Sequence, residues 1–85
     1  MNSIDILGQK LGTAALTALV RLCPEIRTAS PARQEAACAA MRAKSKDAID
    51  ELLSDAKAAP WLAEVAFASA VLTLANEGIR VLRAG

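Results

Sequence analysis

The stretch from Val65 to Ala75 reads Val-Ala-Phe-Ala-Ser-Ala-Val-Leu-Thr-Leu-Ala, with no charged residue and only Ser69 and Thr73 as polar breaks. A surface helix of a monomer needs one apolar stripe, whereas a helix apolar nearly all round must be enclosed. Two stripes run through this region at alternating steps of three and four. One is Trp61, Val65, Ala68, Leu72, Ala75, Ile79 and Leu82; the other is Phe67, Val71, Leu74, Gly78 and Val81. One stripe is enough to join a small helical core. The second calls for another covering surface, and in a chain of 85 residues a second molecule is the nearest source of one.

The rest of the chain is also helical in pattern. The first helix is expected over about residues 4–22, with Ser3 as a suitable cap, Asp5 in the first turn where the helix dipole favours negative charge, and Pro24 as its stop. Its apolar rhythm is Ile4, Leu7, Leu11, Ala14, Ala18 and Leu22. Gly8 and Gly12 lie one turn apart, on a line continued by Ala15 and Leu19. Each interior glycine costs about 1 kcal/mol relative to alanine, so a close backbone crossing is expected there. Ser30-Pro31 opens a second helix, expected over 31–58, as an N-cap followed by proline at the first helical position. Its buried stripe is read as Cys38, Met41, Ser45, Ala48, Leu52 and Ala56. Its outer face is charged, with Lys46 and Asp50 spaced for an i,i+4 pair. Pro60 turns the chain into a third helix, expected over 60–82, through either a sharp corner or a kink. No strand pattern and no repeat is visible.

The expectation is one all-α domain spanning residues 1–85, a three-helix hairpin or bundle with the third helix most buried, completed by homodimerisation. The quality of the apolar residues favours that completion. Hydrophobic residues make up 54% of the chain, yet twenty residues are alanine and the only aromatics are Trp61 and Phe67. Alanine adds little burial, and a domain of this size hides only about 60–65% of its unfolded surface. The self-association seam is placed at Phe67, Val71, Leu74 and Gly78, with the Gly8–Gly12 face of the first helix. The Gly8-x-x-x-Gly12 spacing also resembles a membrane dimer motif, but Lys10 sits within it and the apolar span of about 20 residues that such a motif needs is missing.

Chemistry is excluded more firmly than it is suggested. The chain has no histidine and no tyrosine, which removes serine triads, zinc sites and Glu-x-x-His metal sites in their ordinary forms. Cys23 falls at a helix C-terminus, where the dipole disfavours a thiolate, and Cys38 falls on a buried stripe; both read as small core residues. Asp47, Asp50, Glu51 and Asp55 share one helix face, but a single straight helix cannot wrap a cation, so they read as a solvated or docking face. No cofactor, metal or catalytic residue is expected.

Ten basic residues against nine acidic ones leave no net field to draw nucleic acid or an anionic membrane. No basic leader opens the chain, and no apolar run reaches the roughly 18 residues of a membrane span. The expected location is the cytoplasm. What remains is action by contact: a small non-enzymatic module that binds a protein partner stoichiometrically as inhibitor, adaptor or regulator. A phage or mobile-element inhibitor of a host complex is one form such a module takes. Its expected partner-binding residues are Trp61, suited to a hot spot or else to a core plug at the corner between the second and third helices, and the charged residues Arg42, Lys46, Asp47, Asp50 and Glu51. The alternative is a nucleic-acid-associated regulator using the basic part of the second helix, from Arg33 through Arg42, Lys44 and Lys46.

Overall fold

The computed structural model describes residues 3–84. Three helices account for nearly all of them: α1 (Ser3–Leu22), α2 (Pro31–Ala58) and α3 (Ala63–Ala84), with short 3₁₀ turns at Pro24–Arg27 and Pro60–Leu62. No strand occurs among the described residues. The all-α expectation holds, and the helix bounds agree with those read from the sequence to within three residues at each end.

Both helix exits use the same device. Cys23 (φ −139°, ψ 72°) and Ala59 (φ −142°, ψ 78°) leave the helical region immediately before Pro24 and Pro60, because the proline ring crowds a preceding helical residue. The second break is therefore a corner and not a kink, and it returns α3 along α2. At the start of α2 the Ser30 hydroxyl accepts a hydrogen bond from the Arg33 backbone N–H at 3.3 Å, the cap that the Ser-Pro pair announces.

The three helices form a slab of 40 × 24 × 17 Å. α2 and α1 both pack on α3, and they touch each other far less than either touches α3. The core is made of Leu11, Ala15, Leu19 and Cys23 from α1 and its exit, Ile26 from the turn, Ala37, Met41, Ala48 and Leu52 from α2, and Ala66, Ala70, Leu74, Ala75 and Leu82 from α3. Ile26 belongs to none of the helical stripes of the sequence, yet its 3₁₀ turn carries this side chain into the core.

That end of the slab is tied by polar contacts as well. Arg33 donates through its guanidinium to the Leu82 carbonyl, serving one of the carbonyls that the end of α3 leaves without a helical partner. Gln34 donates to the Ile26 carbonyl at 2.7 Å, and Arg83 pairs with Glu25 at 3.0 Å. The Glu25 carboxyl is held down to about 2 by the Cys23 thiol, the local backbone and Arg83. Burial, with Glu25 beside it, pushes the Cys23 thiol up.

By length and composition Pro60–Ala84 could cross a membrane, with a mean hydropathy of 1.4. The uncharged run itself is shorter than a membrane span, since Glu64 and Glu77 bracket it, but a membrane-length window takes in these carboxylates. The central helix of a water-soluble bundle has the same character.

Candidate interaction surfaces

The two apolar stripes divide differently from expectation. The stripe assigned to self-association supplies the core. Leu74 is 1% exposed, and Gly78 is buried so tightly that a Cβ there would lie 2.8 Å from Met41 Sδ and 3.5 Å from Leu19 Cδ1. Leu74 and Gly78 are thus used within the chain and are corrected from seam to core; Phe67 and Val71 remain half-buried against that core. The other stripe is open over its first half: Trp61 is 83% exposed, Val65 63% and Leu72 49%, with Ala68 exposed between them. Only from Ala75 onward does this stripe turn inward. A core-plug role for Trp61 is excluded by its exposure.

The physical reason is helix drift. Contacts at i,i+4 advance 40° per step around an ideal helix. The buried row Ala66, Ala70, Leu74, Gly78, Leu82 follows such steps, so it winds across α3 and leaves opposite faces uncovered at its two ends.

The expected close crossing at Gly8 and Gly12 is also corrected. A Cβ on Gly8 would meet Ile49 Cδ1 at an ordinary 3.6 Å, and one on Gly12 would meet nothing within 4 Å. In place of a crossing there is a groove between α1 and α2, with a cavity volume of about 380 Å³. Gly8, Gly12, Ala15 and Leu16 form one wall; Cys38, Met41, Arg42 and Ser45 form the other; Leu74 of α3 is the floor. A shallower depression beside Ile4, Asp5, Gln9 and Ile49 continues it, sharing Gly8 and Ser45. The sequence offered one signal for this groove, the paired glycines, but that signal was read as contact and not as space.

The remaining partner-binding candidates lie on the outer side of α2. Arg42, Lys46, Asp47, Asp50 and Glu51 are all exposed. Arg42 pairs with Glu35 at 2.5 Å, and Lys46 donates to Asp50 at 3.3 Å. In the basic part of α2, Arg42 and Lys46 have acidic partners, while Arg33 donates to the uncharged Leu82 carbonyl and keeps its charge. Asp47, Asp50, Glu51 and Asp55 assemble no metal-binding group among the described residues. Cys23 is buried, and its raised thiol suits a packing role better than a nucleophilic one; Cys38 is half-buried on the groove wall.

No protein-family model, curated protein or solved structure matches the chain.

Proposed function

We propose that this chain is a small non-enzymatic interaction module, acting stoichiometrically on a protein partner in the cytoplasm as inhibitor, adaptor or regulator. One observation carries the reading: Trp61, Val65 and Leu72 lie exposed along one stripe, and an open apolar groove lies between α1 and α2. Exposed apolar surface of this kind on a small protein marks contact with another macromolecule. Self-association belongs to the same reading, with its seam moved away from Leu74 and Gly78. The charged side of α2 then serves the partner, with Arg42, Lys46, Asp47, Asp50 and Glu51 setting specificity and on-rate.

The test is capture from native cytoplasm followed by mass spectrometry, using the wild-type chain and a variant carrying Asp50→Lys and Glu51→Lys. The expected result is one protein retained in stoichiometric amount by the wild type and lost from the variant. Turnover of a small molecule by the chain alone, with no protein retained, overturns the proposal. The nucleic-acid alternative draws little support from a segment in which two of the four basic residues, Arg42 and Lys46, are paired with acids. It predicts a low-salt gel shift that weakens steeply as salt is added.

A further inference from the structure

From the groove and the open stripe we infer that copies of this chain stack head to tail, the first half of α3 from one copy lying in the α1–α2 groove of the next. This rests on the contact reading above and names one occupant for the groove.

Three features support a second copy. The first is length. The groove runs beside α1 from Ile4 to Leu16, about 18 Å at 1.5 Å per residue; the stripe from Trp61 to Leu72 is about 17 Å long by the same rise. The second is chemistry, since a helix face of Trp61, Val65, Ala68 and Leu72 matches a groove floored by Leu74 and walled by Gly12 and Met41. The third is charge. Glu64 flanks the stripe one turn from Trp61 and Ala68, and no ion pair involves it among the described residues. Arg42 stands on the groove wall with its side chain 65% exposed. Its pair with Glu35 uses Nη2, and the guanidinium has further donors for a second carboxylate. Setting Glu64 on Arg42 also brings Trp61 over the guanidinium, a favourable cation–π arrangement.

The geometry also fixes the kind of assembly. Leu72 precedes the groove floor Leu74 by two residues, about 200° of helical rotation, so stripe and groove face nearly opposite ways. A twofold dimer cannot join both. Each copy offers its groove to one neighbour and its stripe to another, which gives an open or cyclic series.

Two variants of the full chain test this by light scattering. Leu72→Asp spoils the stripe, and Gly12→Leu fills the groove at a position with free space around it. Wild-type mass is expected to rise past two chains with concentration, each folded variant alone to stay at one chain, and their equimolar mixture to stop at two, because one intact interface remains. Circular dichroism confirms that both variants are folded. Glu64→Lys and Arg42→Glu form a second, surface-only pair: each alone is expected to weaken stacking, and their equimolar mixture to restore it past two chains, because every charge contact in an alternating series is then matched. A wild type that stays at one chain, a wild type that stops at two, or a mixture that stays at one overturns the stacking. Any of these results leaves the capture experiment free to succeed, whereas stacking with no captured partner retires the partner reading and leaves assembly standing.

Discussion

The two halves of α3 meet opposite fates, and the more apolar half is the one left open: ten of the twelve residues from the preceding Trp61 through Leu72 are apolar, against five of the nine from Leu74 to Leu82. From Leu74 to Leu82 the helix is gripped: Gly78 admits Met41 and Leu19 to its backbone, Leu82 is buried, and the final turn is held by Arg33 and by the Glu25–Arg83 pair. From Ala63 to Leu72 it is half-covered, with Val65 and Leu72 in solvent, as is Trp61 in the turn just before it. The difference lies in what crosses the helix at each level and not in residue type. It shows that a greasy segment locates surplus surface without saying which face carries it.

The sharpest way to break this comparison uses two leucines two positions apart. Leu74→Ala should lower unfolding free energy by about 2–5 kcal/mol, as core truncations do, while Leu72→Ala should cost no more than about 1 kcal/mol under conditions where the chain is monomeric. Equal costs in urea unfolding would erase the distinction between the halves.

Two glycines provide the next test. Gly78→Ala must displace Met41, and overpacking of about 1–3 kcal/mol outweighs the roughly 1 kcal/mol that alanine contributes to helix propensity. A net loss of about 1 kcal/mol is expected. Gly12→Ala meets open space and should gain up to about 1 kcal/mol. Thermal melts of the two variants should therefore move in opposite directions.

A smaller effect is expected at the gripped end. Arg33→Ala removes the bond to the Leu82 carbonyl and should cost about 1 kcal/mol. Amide exchange should quicken in the last turn of α3 and not near Val65. Uniform loosening along α3 would argue against a local anchor.

The smallest effect is in acid. The Glu25 carboxyl lies below its ordinary value of 4.5, at about 2 in the fold, so the unfolded chain binds a proton more readily in that interval. The resulting stability is present above about pH 4.5 and is lost as pH falls toward 2. Solvent exposure keeps it slight. Glu25→Gln should flatten this part of the stability profile, with a slight loss above about pH 4.5 that vanishes toward pH 2; an unaltered slope would remove Glu25 as its source.

Much of this was legible in the chain itself. Ser30-Pro31, Pro24 and Pro60 mark helix ends through local backbone sterics, and the Met41–Ala48–Leu52 row and the Lys46–Asp50 pair follow from helical spacing alone. The exposed charges of α2 could be placed for the same reason. Which stripe of α3 would be covered, and whether Gly8 and Gly12 meant contact or space, could not. Periodicity says which residues share a face, and local sterics say where a helix stops, because both act within a few residues. The face that is buried depends on where α1 and α2 cross α3, and that is set by the fit of distant side chains such as Met41 and Leu19 around Gly78.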